Sequence, residues 1–228
     1  MTDDLARQAL EFEALIGTEE VVLPPTEVGP TTDIETTIPD ATDLESFRES
    51  ICECQKCSLG ATRTKFVFGV GNPHADVLFI GEAPGANEDK QGEPFVGRAG
   101  QLLDKILAAI DFERSDIYIA NILKCRPTNN RDPQPEEMDV CSPYLERQIE
   151  LIKPKFICCL GRIAAQRILD TNTPLGKLRG QWFDMFGAKL MVTYHPAALL
   201  RNPAFKRGTW EDVQILREAY DAWKKGGK

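Results

Sequence analysis

No apolar run in this chain approaches the length of a membrane span, and the N-terminus lacks the basic-then-apolar order of a secretion signal. Both absences lead to the expectation of a cytoplasmic, reducing setting with no membrane partner. Histidine is scarce, with two in 228 residues, so few side chains are available to titrate near neutral pH. Neither G-x-G-x-x-G nor a phosphate loop ending in Gly-Lys-Ser/Thr occurs, which argues against a nucleotide-binding enzyme of generic α/β type. No internal repeat is visible.

Cysteine, in contrast, is plentiful. Seven in a reducing setting suggest metal ligation more than disulfides. The length suits one full-sized domain with a tail. Charge divides the chain in the same way. Residues 1–50 carry thirteen acids against two bases, a net of −11, which leaves +3 for the remainder of a total of −8. A mildly basic domain permits DNA binding without demanding it. Residues 1–42 read as an acidic, disordered extension. It has one helical spacing at Leu5–Ile16 and a Thr-, Pro- and acid-rich stretch at 17–41. A solvated leader is the plain reading of it, and an arm for an unknown protein partner is the other.

From residue 43 the periodicity becomes globular. Helices are expected near 43–51, 98–110, 135–151, 161–169 and 209–224. Strands are expected at 76–81, 116–122, 156–160 and 189–194, with a further short one at 65–68. This alternation predicts an α/β fold, a three-layer α/β/α sandwich around a mainly parallel four-stranded sheet.

The run Gly81-Glu82-Ala83-Pro84-Gly85, then Glu88-Asp89, then Gly92 to Gly100 lies between the apolar segment Val77–Ile80 and the helical spacing after Gln101. A strand, a glycine-punctuated loop and a helix place backbone N–H groups at the carboxyl end of a sheet, where open α/β folds bind ligands. Cys54 and Cys57 form a C-x-x-C pair, and Cys125 and Cys141 follow at a wider interval. Four thiolates can close around a [4Fe–4S] cluster or a tetrahedral Zn²⁺; the wide second interval favours the cluster and leaves zinc open. Cys158 and Cys159 lie within an apolar strand and read as packing residues, while Cys52 is a weaker rival to Cys54. His74 sits in a turn, whereas His195 ends the last strand on the same sheet edge as the glycine loop. Behind it, Leu199, Leu200 and Arg201 suit a wedge pushed into a duplex, although one leucine is expected to fold inward.

Together these motifs resemble the iron–sulfur family of uracil-DNA glycosylases, family 4. They are Gly81–Gly85, Glu88-Asp89, Pro94–Gly100, Asn121 with Lys124–Pro127, and His195 to Pro203, with the four cysteines matching that family's cluster ligands in order and spacing. The resemblance runs from about Ser50 to Trp223 and makes residues 43–228 the glycosylase domain with its cluster. It implies a monofunctional hydrolase that removes flipped-out uracil from single- or double-stranded DNA, leaves an abasic site and so initiates base excision repair. It implies a monomer, nucleoid-associated if the source is bacterial.

Uracil binding would fall to Gly81, Glu82, Ala83, Phe95, Asn121 and His195, with Phe95 stacking on the base and Asn121 reading its edge. Catalysis would fall to His195, Glu82, Glu88 and Asn121, and DNA contact to Leu199, Leu200, Arg201, Arg126 and Arg131. Asn129 and Asn130 are further candidates in the same loop. Ala83 stands where the best-known branch of the superfamily carries a water-positioning Asp, so Glu82 and Glu88, ahead of Asp89, are the candidates for that task. The 126–140 loop has no histidine, so ordinary turnover is expected rather than the covalent trapping of a related branch. The implied cluster is expected to be architectural. A noncatalytic lesion-binding module on the same fold is the alternative.

Overall fold

Val77–Gly81, Tyr118–Asn121, Phe156–Leu160 and Ala188–Thr193 are short, apolar and almost wholly buried. Such segments satisfy their backbone groups only by pairing with one another, with both faces covered. In the computed structural model, which describes residues 38–226, they form the parallel centre of a six-stranded sheet. In chain order the strands are β1 (Val70–Gly71), β2 (Val77–Gly81), β3 (Tyr118–Asn121), β4 (Phe156–Leu160), β5 (Trp182–Met185) and β6 (Ala188–Thr193), arranged β1-β3-β2-β4-β6-β5. The parallel core is the expected four strands. Two antiparallel edges extend it, β1 against β3 and β5 against β6.

β5 and β6 form a hairpin turned by Phe186 and Gly187, both with positive φ. A phenylalanine there hides the turn from a sequence reading. The strand expected at 65–68 does not form. The segment makes one backbone–backbone hydrogen bond, Val67 N to Lys124 O (2.8 Å), and the pairing starts later, at Val70.

The helices are α1 (Leu44–Ile51), α2 (Leu59–Thr62), α3 (Ala86–Gln91), α4 (Arg98–Ala108), α5 (Pro135–Ile152), α6 (Arg162–Ile168), α7 (Leu175–Leu178), α8 (Pro196–Arg201) and α9 (Phe205–Gly226). α1 starts at Asp43, whose carboxylate accepts from Ser46 N (2.9 Å), and it buries Leu44, Phe47 and Ile51, one helical face. α5 starts with a capping box between Gln134 and Glu137 followed by Pro135.

Leu78 and Ile80 of β2 point into one core with residues of α1, α5 and α6, whereas Val77 and Phe79 point into a second core with α4 and α9. Period-2 alternation thus builds both layers from one strand. Cys158 and Cys159 divide between the same two cores and are fully buried packing residues, as expected. The Leu5–Ile16 segment lies outside the described residues. Among the described residues no helix is long and apolar enough to cross a membrane.

Candidate active site

Parallel pairing sets Gly81, the last residue of β2, directly beside Asn121, the last of β3. The ladder continues past the strands through Ile122 N to Gly81 O and Leu123 N to Glu82 O, each 3.0 Å. A Cβ on Gly81 would lie 2.3 Å from Asn121 Oδ1 and 2.8 Å from the Phe95 ring, so both side chains converge over the bare glycine backbone. Asn121 Oδ1 is the one buried side-chain oxygen or nitrogen among the described residues that has no hydrogen-bond partner. Leaving such an atom unpaired costs about 1–3 kcal/mol, a penalty removed when a ligand donates to it.

Phe95 is 5% exposed and holds a left-handed φ of 54°, a conformation that a bulky side chain adopts only when its surroundings impose it. Three restraints are visible. Glu88 Oε1 accepts from Val96 N (3.0 Å) and Gly97 N (2.8 Å). Arg114 donates to the carbonyls of Pro94 and Phe95. Gly100 leaves room for the Phe95 carbonyl, which a Cβ there would meet at 1.7 Å. Glu88 therefore braces the loop by one oxygen. Asp89 is buried and bound to Thr64 N (2.8 Å) and Thr64 Oγ1 (2.7 Å), an anchor for the segment after α2.

His195 follows β6 and caps α8, its Nδ1 accepting from Ala197 N (3.1 Å). That bond leaves the proton of the neutral ring on Nε2. Burial, reinforced by the Arg201 charge, lowers His195 to about 4, so the ring is neutral at pH 7 with its proton available on Nε2. Its ring lies 5.3 Å from that of Phe95. Burial pushes Glu82 up to about 7, with Asp132 adding to the rise and Arg162 and Arg201 opposing it. Ala83 packs its methyl against the core. Asn121, Phe95, His195 and Glu82 thus gather at the carboxyl edge of the sheet.

At the rim, Leu200 is 41% exposed with Arg201 beside it, while Leu199 is 2% exposed. The expected DNA contact by Leu199 is therefore corrected. One helical turn cannot present adjacent residues on one face, and Leu199 packs inward. Arg126 donates to Asn130 Oδ1 (2.8 Å) in a loop where Asn129 and Asn130 both have positive φ. Arg131 is committed to Glu137 through two hydrogen bonds (2.9 and 2.5 Å), which sets it to tie the loop to α5.

Cys54, Cys57, Cys125 and Cys141 line one pocket, walled by Leu59, Phe66, Leu123 and Tyr144. Three of these sulfurs already receive donors. Cys54 accepts from Lys56 N (3.5 Å) and Tyr144 OH (3.3 Å), Cys125 from Arg63 Nη1 (3.6 Å), and Cys141 from Lys124 N (3.4 Å). Donors directed at sulfur stabilise thiolates, so the set suits a soft metal group. No three His, Cys, Asp or Glu side chains among the described residues are gathered as a single ion would require. Cys52 is outside the pocket lining, and its thiol meets the Glu49 carbonyl.

The Uracil DNA glycosylase superfamily model matches residues 68–214, well over half of the chain. The type-4 uracil-DNA glycosylase of Archaeoglobus fulgidus is 46% identical over 183 residues, covering 77% of this chain and 92% of that protein. Those of Saccharolobus solfataricus and Thermotoga maritima are 44% and 42% identical, over 78% and 75% of this chain and 86% and 91% of theirs. The chain belongs to the type-4 uracil-DNA glycosylases.

Within this type-4 chain, Lys124 has a part in the site that its sequence motif does not assign. It is fully buried, with Nζ donating to Asn121 O (2.9 Å) and Gln148 Oε1 (2.5 Å), while its backbone N–H serves Cys141. A lysine inside an otherwise apolar strand exit is the available signal, because burying an ammonium demands named partners.

Proposed function

We propose that this protein excises uracil from DNA by hydrolysing the N-glycosidic bond of a nucleotide flipped into the pocket of Phe95, Asn121 and His195. The observation that carries the reading is the unpartnered Asn121 Oδ1, buried beside an aromatic floor. Uracil offers N3–H as a donor to that oxygen and O4 as an acceptor for the same amide. Cytosine presents the opposite pattern and would leave the amide mismatched. Phe95 stacks on the base without reading it.

The C1′–N1 bond breaks with its electron pair passing to uracil N1, and negative charge spreads to O2. His195 Nε2–H donates to O2 as that charge grows, and a neutral donor there needs no compensating proton. Water adds to C1′ from the other face, and its proton passes to the Glu82 carboxylate and then to solvent or the departing base. Glu88 takes no proton in this scheme, since its carboxylate holds the Phe95 loop. Leu200 fills the gap in a duplex, with Arg201 and Arg126 toward phosphates.

Cys54, Cys57, Cys125 and Cys141 fit a [4Fe–4S] cluster, in line with four thiols on one pocket and their N–H and O–H donors. When bound, such a cluster supplies cross-linking between α1, the β3 exit and α5 rather than electrons.

The test is product formation on a labelled oligonucleotide carrying one uracil, single-stranded or paired with guanine, beside His195→Ala. Alkali-sensitive cleavage at the uracil, greatly weakened in the variant, is expected. Intact oligonucleotide with folded protein, but lesion-dependent binding, would move the reading to a noncatalytic module.

A further inference from the structure

His195 is the residue whose placement decides where the donor meets the base, yet the segment leading into it is a strand end, where pairing stops. What fixes that end is a buried polar group in the other layer. Asp212 of α9 is 1% exposed. Its Oδ2 accepts from Thr193 Oγ1 (2.7 Å), the hydroxyl two residues before His195, and Thr193 is itself fully buried. Arg179, just after α7, closes on the same carboxylate through Nε (3.1 Å) and Nη2 (3.0 Å). The same guanidinium donates to Gly208 O (2.5 Å) and lies 5.3 Å from the centre of the Tyr194 ring. Tyr194 in turn stacks on Phe205 at 4.4 Å with 9° between the rings. Thr193 O accepts from Gly161 N (2.9 Å), which ties the strand end to the start of α6. Three elements, α9, the segment after α7 and the start of α6, thus meet on the two residues immediately before the imidazole.

A half-buried Arg–Asp pair is weak evidence for stability, because the desolvation of the buried carboxylate offsets much of the attraction. Its use must be sought in specificity of placement. Here it holds a hydroxyl, a ring and a backbone turn in one arrangement, and the next residue in the chain is the donor to the departing base.

We infer that Asp212, with Arg179 and Thr193, is a positioning group that sets the orientation of His195 for base expulsion. The inference rests on the role given to His195 above, but its structural half can be read without catalysis. Asp212 itself touches neither base nor sugar and is no catalytic residue.

The experiment compares Asp212→Asn, Thr193→Val and Thr193→Ser with the parent protein. Three quantities are read: the single-turnover excision rate at saturating uracil DNA, the DNA dissociation constant, and the ¹⁵N signals of the His195 ring. In Asp212→Asn and Thr193→Val the rate should fall roughly 10- to 100-fold, the scale of a small misplacement of a reacting group. DNA affinity should stay within about twofold, since phosphate contacts dominate it. The His195 signals should move away from a single Nε2–H form. Thr193→Ser, which restores the hydroxyl, should recover both rate and spectrum. Two results would overturn the inference: an unchanged His195 spectrum in folded Asp212→Asn, or a Thr193→Ser as impaired as Thr193→Val, which would make the overall side-chain fit, not the hydroxyl bond to Asp212, the controlling feature. Thr193→Val keeps the side-chain shape, so it serves if Asp212→Asn does not fold. A parent protein that excises nothing would refute the glycosylase reading, while the imidazole spectra would still decide whether Asp212 positions His195.

Discussion

At the scale of single residues, two titrating groups share the site and are pushed in opposite directions by the same burial. Glu82 is raised to about 7 and His195 lowered to about 4. In the proposed scheme the first must be ionised to accept a proton, and the second is neutral across the useful range. Excision under single-turnover conditions should therefore climb with pH, roughly tenfold per unit, until it levels above about 7. Glu82→Gln should abolish that limb and lower the plateau by roughly a hundredfold. His195→Gln should be slow but keep the limb at the same pH. A limb that survives in Glu82→Gln would assign it to another group.

The same carboxyl has a consequence for folding. Its proton is held more tightly in the native state than in the unfolded chain, so its contribution favours folding at low pH. That contribution is lost as pH rises from about 4.5, the ordinary value, through about 7. Thermal melts of Glu82→Gln should show a smaller decline over that window than the parent.

At the scale of elements, α8 separates two leucines that are adjacent in the sequence. Leu199 is packed in the interior and Leu200 stands at the rim. Leu199→Ala should destabilise by about 2–5 kcal/mol, the usual range for a buried leucine, measured by denaturant unfolding. Leu200→Ala should leave stability nearly unchanged and slow excision from duplex more than from single strands. Equal slowing on both substrates would remove its wedge role.

The main elements were legible because their periodicity is strong. The parallel strands and the long helices end within a few residues of their expected limits. α3 was not legible, since Ala86–Gln91 is polar and its one buried side chain is an aspartate. The site was legible as a set of residue types and opaque as a set of contacts. Glu88 looks like a base in sequence, and only the fold shows its carboxylate engaged by two backbone N–H groups. The same holds for Arg131. Its partner Glu137 is six residues away in the first turn of α5, and only the path of the intervening loop brings the two charges together.

At the scale of the whole molecule, the thiol pocket joins parts of the chain that the sheet does not. Cys54 and Cys57 follow α1, Cys125 follows β3, and Cys141 lies in α5. If these thiols hold the cluster proposed above, removing one should release all three segments. Cys125→Ala is expected to lower solubility and the melting temperature before it alters the rate of whatever fraction remains folded. Brown colour and iron content should fall with it. Soluble, fully active, iron-free protein would refute an architectural role for the cluster.

Gly81 lies between the Asn121 amide and the Phe95 ring, and a single added carbon would meet both. No amino acid offers a smaller first step away from glycine than a methyl group. This position is thus closed to gradual drift: every single-residue change there intrudes at once on the pocket proposed to hold the base. Any lineage that widened its choice of base would have to alter the neighbours of Gly81 first and the glycine last.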